Sequence, residues 1–146
     1  MGKSGSGEMQ KTQTILESTL ESVDAAEIAA IEAAREMGFD EDEQLNIGMA
    51  VRECAVNAVV HGNGYSKKKN VHLSIERSED DLVVLIGDEG AGFDLSSLPD
   101  PLAEENILRQ SGRGLLLIRT FMDEVDLHPR AGGGTEVRLV KHLSKN

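Results

Sequence analysis

Two strand-like runs set back to back constrain this chain more than anything else in it. Val71 to Arg77 alternates, with Val71, Leu73 and Ile75 on one side and His72, Ser74 and Glu76 on the other, which is the period of a half-buried strand. Leu82-Val-Val-Leu-Ile86 is a second, more deeply buried strand, and only the polar turn Ser78-Glu-Asp-Asp81 separates the two. A connection that short joins antiparallel neighbours, because parallel strands need a long crossover. The second strand runs straight into Asp88-Glu-Gly-Ala-Gly92, so a carboxylate is delivered to the end of a buried strand.

The segments on either side read as follows. Thr12 to Thr19 is expected as a first strand, though its alternation is poor. Asp24 is the expected N-cap of a helix reaching about Met37, with Ile28, Ile31 and Ala34 spaced for one face and Gly38 as its stop. Asp40, with Glu43 three residues on, forms a variant capping box, and an acidic first turn suits the helix dipole. Leu45, Met49, Val56 and Val60 supply the expected apolar stripe of this second helix, and Gly62-Asn-Gly64 ends it. From Phe93 to Gln110 no period is sustained, and a long irregular segment inside a compact domain is often a lid. Gly114 to Met122 reads as a helix. Glu124 to His128 and Thr135 to His142 read as strands joined by the turn Gly132-Gly133-Gly134. Helices first, then mostly antiparallel strands with one helix inserted, describe an α+β sandwich of one sheet with helices on one face.

The chain has 146 residues, 28% charged and 39% hydrophobic, a folded rather than disordered composition. Its net charge of -11 argues against nucleic acid as a partner, since phosphate backbones reward clustered Lys and Arg. Proteins with basic patches, or a nucleotide carried with a divalent cation, fit better. No apolar run approaches the roughly 20 residues that span a bilayer. The one cysteine, Cys54, lies in the apolar helical stretch and reads as a small buried hydrophobe. Lys67-Lys-Lys69 reads as a solvated loop, and the histidines show no metal-ligand spacing.

Four elements carry chemistry. Glu53 and Asn57 lie four residues apart on the second helix, on one face and one turn apart, among apolar neighbours. They are either a polar edge stripe, or a general base and a ligand that offers its amide oxygen to a hard cation. His61, one turn further on, either rims that site or faces the helix dipole. Asp88, followed by Gly90 and Gly92, is either an ordinary turn or a pocket floor that accepts a hydrogen bond from an exocyclic amine such as that of adenine. Ser111-Gly-Arg-Gly114 opens a helix, where N–H groups freed by glycines make an anion site, and Arg109 and Arg113 are both within sequence reach of a terminal phosphate. Thr135 follows three glycines in what is by itself a hairpin turn.

Taken together and in order, these elements resemble the GHKL ATPases. Glu53-x-x-x-Asn57-Ala-x-x-His61-Gly62 is similar to the N box of that group, Asp88-x-Gly90-x-Gly92 to its G1 box, Ser111-Gly-Arg-Gly114-Leu115 to its G2 box, and Gly133-Gly134-Thr135 to its last glycine motif. Phe121-Met-Asp-Glu-Val125 and Arg138-Leu-Val-Lys-His142 also resemble the bacterial anti-sigma factor serine kinases of sporulation and general stress control. The resemblance implies a Bergerat fold, a mostly antiparallel mixed sheet under helices, with residues 1–11 as a flexible tail and 12–146 as one ATP-binding domain. It implies ATP or ADP with Mg²⁺. Glu53 would be the catalytic base, Asn57 the Mg²⁺ ligand and Asp88 the reader of the adenine amine, while His61, Gly90, Gly92, Arg109, Ser111, Gly112, Arg113, Gly114, Leu115 and Thr135 would line the nucleotide. It further implies a cytoplasmic homodimer that holds a sigma factor and phosphorylates an anti-anti-sigma antagonist, with no membrane or nucleic-acid partner. The alternatives are a non-catalytic ATP-binding partner-switching module and a kinase-like regulator in a stress-sensing complex.

Overall fold

Strand pairing and helix capping build a two-layer α+β sandwich, seen in a computed structural model that describes residues 10–90 and 114–143. The elements run β1 (Gln10–Glu17), α1 (Leu20–Met37), α2 (Glu41–Val56) with a π-helical continuation (Asn57–Gly62), β2 (Asn70–Arg77), β3 (Asp81–Gly87), α3 (Gly114–Phe121), β4 (Glu124–Pro129) and β5 (Thr135–His142). The sheet has the order β1-β2-β3-β5-β4. Among the described residues every neighbouring pair is antiparallel, where the resemblance implied a mostly antiparallel mixed sheet.

The β2–β3 hairpin puts Ile75 opposite Val84 and Leu73 opposite Ile86. These four side chains join Leu82 and Leu139 in one buried core with Val23, Ala26, Ala30 and Ala34 of α1, Ile47, Val51 and Cys54 of α2, and Ile118 of α3. Burial of each large aliphatic side chain contributes about 1.5–3 kcal/mol. Cys54 is buried as expected, and that burial pushes its thiol pKa far up, so the thiolate does not form at neutral pH.

The helices differ from the sequence reading in two respects. The first helix begins at Leu20, with Thr19 as N-cap accepting from the Ser22 N–H at 3.2 Å, rather than at Asp24. Asp24 lies a turn inside and forms an ion pair with Arg52 at 2.7 Å. The buried faces also differ. Ile28, Leu45 and Met49, expected to face the core, are exposed, and the core face of α1 is largely alanine. Two helices lying close over one sheet leave room for small side chains in the middle, and the larger ones fall on the flanks. Strand β1 begins at Gln10 and ends at Glu17, earlier than the expected Thr12–Thr19, because Ser18 turns inward to donate to the Lys69 carbonyl at 2.6 Å.

His142 pins the far end of the sheet. It pairs with Asp81 across the β3–β5 register, Nδ1 to carboxylate at 2.7 Å, and its Nε2 lies 3.3 Å from Glu124. The hydrogen bond to Asp81 raises the His142 pKa above its ordinary 6.5. A raised folded-state pKa stabilises fully below the unfolded value, and the contribution is lost as pH rises through the folded one. His142→Gln therefore lowers the thermal midpoint more at pH 5.5 than at pH 9, as measured by circular dichroism. An equal drop at both values would show that the pair contributes no pH-dependent stability.

Candidate functional site

Asp88 follows the last residue of β3 and is only 8% exposed. Its Oδ1 accepts from the Gly90 N–H at 3.0 Å and from the Thr135 N–H at 3.2 Å. Its own N–H donates to the Thr135 carbonyl at 2.9 Å. A carboxylate held by two backbone donors on one oxygen has a fixed direction, and Oδ2 keeps its acceptor capacity for something else.

Two glycines allow this arrangement. A Cβ on Gly62 would lie 2.3 Å from Asp88 Oδ2, so the end of the π-helical segment meets the carboxylate through bare backbone. Gly134 has a φ of +95°, and a Cβ there would lie 1.9 Å from the Asp88 carbonyl oxygen. The end of α2, the end of β3 and the β4–β5 turn thus converge on one acid, and they do so because glycine removes the side chains that would keep them apart.

The helix side comes from α2. Asp40 caps it as expected, accepting from the Glu43 N–H at 2.8 Å. Glu53 and Asn57 are both half-buried, and the Asn57 N–H donates to the Glu53 carbonyl, which keeps them one turn apart as the spacing predicts. Neither side chain has a hydrogen-bond partner among the described residues, so a carboxylate and an amide oxygen both remain open. From Asn57 the helix widens into a π turn, closed by the Asn63 N–H on the Ala58 carbonyl at 2.8 Å. Widened turns of this kind concentrate at functional sites. His61 lies in this turn and is exposed, next to the Gly62 that touches Asp88.

Thr135 is buried at the start of β5, with its backbone on Asp88. Gly90 is buried beside Gly62. Gly114 and Leu115 are the first residues of α3, which packs on α2. Gly92, Arg109, Ser111, Gly112 and Arg113, together with the whole of the expected lid, lie outside the described residues. No group of three or more His, Cys, Asp or Glu side chains that could cage a metal occurs among the described residues.

Three residues near Asp88 escaped the sequence reading. Asn63 is 4% exposed, accepts from the Glu89 N–H at 2.8 Å, and donates to Ser18 Oγ at 2.8 Å and to the Asn70 carbonyl at 2.9 Å. His72 bonds to Glu89, and that contact holds the Glu89 carboxyl below its usual range. Arg130 reaches the Asp88 carbonyl. An asparagine between glycines has the look of a turn, and the partners of the other two are remote in sequence.

Comparison with known proteins gives the family of the chain. Residues 16–141 match the histidine kinase-like ATPase domain family. The chain is 35% identical over 107 residues to the anti-sigma F factors of Bacillus licheniformis and of Bacillus subtilis strain 168, a span of 72% of this chain and 73% of each relative. Its fold superposes with a TM-score of 0.64, at 20% identity, on the crystal structure of the RsbU and RsbW domains of a Mycobacterium tuberculosis protein, covering 92% of this chain and 32% of that one. The chain belongs to the histidine kinase-like ATPase family, and its domain is a nucleotide-binding one. Within that family it is similar to bacterial anti-sigma factors.

Gly62→Ala is expected to weaken ATP binding at least about tenfold, because the new methyl group must displace the Asp88 carboxylate, at a stability cost of about 1–3 kcal/mol. Isothermal titration calorimetry and thermal melts check this. Unchanged affinity would mean that the contact of Gly62 with Asp88 does not shape the nucleotide site.

Proposed function

We propose that this chain is a bacterial anti-sigma factor that is also an ATP-dependent protein serine/threonine kinase, acting in the cytoplasm as a homodimer. In this reading it holds a sigma factor and phosphorylates a serine or threonine of an anti-anti-sigma antagonist. The observation that carries it is the convergence of the end of the α2 segment, which also carries Glu53 and Asn57, on an Asp88 whose Oδ2 faces Gly62 and has no hydrogen-bond partner among the described residues. The likeness to anti-sigma F factors supports the regulatory half, and the acidic charge of -11 suits basic protein partners.

The roles follow from the chemistry of each group. Asp88 Oδ2 accepts from the exocyclic amine of adenine and so selects the base. The backbone at the start of α3, with its N–H groups unpaired in the helix, suits the phosphates. Asn57 offers its amide oxygen to Mg²⁺, which when bound neutralises charge on the phosphates. Glu53 accepts the proton of the attacking hydroxyl. The new bond forms between that oxygen and the γ-phosphorus, the bond from the γ-phosphorus to the bridging oxygen breaks, and ADP leaves with the bond's electron pair. Such transfer depends on positioning and charge more than on covalent chemistry by the protein.

Glu53→Ala is expected to slow phosphate transfer by roughly 10²–10⁴-fold while leaving ATP affinity within a few-fold. The assay follows labelled phosphate from ATP into an antagonist protein co-purified from the native cell. Transfer at the unmodified rate would remove Glu53 from the mechanism. Clear ATP binding with no transfer by the unmodified chain would favour a non-catalytic partner-switching module.

A further inference from the structure

The peptide unit between Asp88 and Glu89 is gripped at both ends by side chains distant in sequence. Its carbonyl oxygen accepts from Arg130 Nε at 3.0 Å, and its N–H donates to Asn63 Oδ1 at 2.8 Å. The same Arg130 N–H is shared with the Gly133 carbonyl at 2.9 Å. Arg130 also closes the β4–β5 turn through its backbone, donating to Gly134 O at 2.9 Å and accepting from Gly133 N at 3.0 Å. Asn63 is anchored in turn on Ser18 and on the Asn70 carbonyl, where β1 and β2 meet the end of the π-helical segment.

We infer that Arg130 and Asn63 form a two-sided clamp on the Asp88–Glu89 peptide, making Arg130 a positioning residue for base recognition. This rests on the reading of Asp88 as the acceptor for the adenine amine. A peptide plane held at its carbonyl and at its N–H resists rotation, which restrains ψ of Asp88 and so the backbone from which its side chain projects before a ligand arrives. Preorganisation of that kind raises affinity by removing the ordering cost from the binding step. Without Arg130, the carbonyl end of that peptide loses its side-chain donor, and only its N–H end stays held, by Asn63, beside the hydrogen bonds of Asp88 to Thr135 and Gly90.

Space for Arg130 is built into the strand. Gly87, the last residue of β3, has no side chain, and a Cβ there would lie 2.7 Å from Arg130 Cδ. The stem of the arginine thus crosses β3 where the strand offers bare backbone. The guanidinium continues beside Gly132, whose φ is +95° and where a Cβ would lie 3.6 Å from Nη2. Two glycines and one arginine therefore form a unit, and adding a methyl group at Gly87 should dislodge the clamp without touching the nucleotide site directly. Lysine cannot replace Arg130, because it lacks the planar Nε–H set back from the side-chain tip.

The test compares two nucleotides on the full chain. ATP carries the exocyclic amine, whereas purine riboside triphosphate has hydrogen in its place and gives Asp88 nothing to accept from. Binding of each, with Mg²⁺, is measured by calorimetry for the unmodified chain and for Arg130→Met, Gly87→Ala and Asp88→Asn. The unmodified chain should prefer ATP by about tenfold or more, the usual consequence of one buried hydrogen bond to a charged acceptor. Arg130→Met and Gly87→Ala should each weaken ATP several-fold, leave purine riboside triphosphate within twofold, and so narrow the ratio. Asp88→Asn should erase the ratio.

If Asp88→Asn erases the preference while Arg130→Met and Gly87→Ala preserve it, the clamp is overturned and the base reading stands. If Asp88→Asn preserves the preference, the base reading itself fails and the clamp falls with it. Equal weakening of both nucleotides by the Arg130 and Gly87 variants would mark a general structural role and also overturn the proposal. Should Arg130→Met fail to fold, Gly87→Ala decides, since the backbone of Gly87 is that of an ordinary paired strand residue.

Discussion

The close approach of three backbone segments to one carboxylate is the contact on which the rest of this structure depends. Asp88 is buried, its Oδ1 takes two backbone hydrogen bonds, and Gly62 and Gly134 meet it with no side chain between. Such a group would be expensive to bury without those donors. With them, it ties the helix layer to the sheet at the point where β3 ends. The same contact places Oδ2 against the Gly62 backbone, with both backbone hydrogen bonds on Oδ1.

The rest of the sandwich serves to hold that point still. The β2–β3 hairpin and the central place of β3 between β2 and β5 make the strand before Asp88 the most enclosed in the sheet. The alanine-rich face of α1 lets both helices lie close over it. The π-helical turn at the end of α2 then advances the chain differently from an α-helix, which brings Gly62 onto Asp88 and leaves Asn57 one turn back and Glu53 two, with their side chains unengaged among the described residues. Regular structure gives way at the site, a common sign that geometry there is set by function and not by propensity.

Membership of the histidine kinase-like ATPase family sets the class of this domain. It does not by itself distinguish an ATP-driven kinase from a nucleotide-gated binding protein, because function resides in the site grafted on the fold. Around the site, the His72–Glu89 contact, the Arg130 bridge and the anchored Asn63 all surround the peptide that follows Asp88. They bear on how the site is aimed, which is where regulators that share a fold can come to differ.

Much of the architecture was legible from residue order alone. Alternation in Val71–Arg77, the apolar run at Leu82–Ile86, the cap at Asp40 and the hairpin glycines at 132–134 each express a local rule of period or backbone freedom, and the structure follows them. Packing was not legible. Ile28, Leu45 and Met49 have helical spacing but lie outside, because which face of a helix is buried depends on how near its neighbour comes. The N-cap moved from Asp24 to Thr19 because Asp24 pairs with Arg52 across the two helices. Asn63 and Arg130 bond to partners 26 and 42 residues away, and a contact at that separation leaves no trace in local pattern. The sequence by itself determined which residues could serve the site, through the chemistry of acid, amide and glycine in a set order. Only the tertiary structure decided which of them meet, since meeting depends on side chains and backbone brought together from opposite ends of the fold.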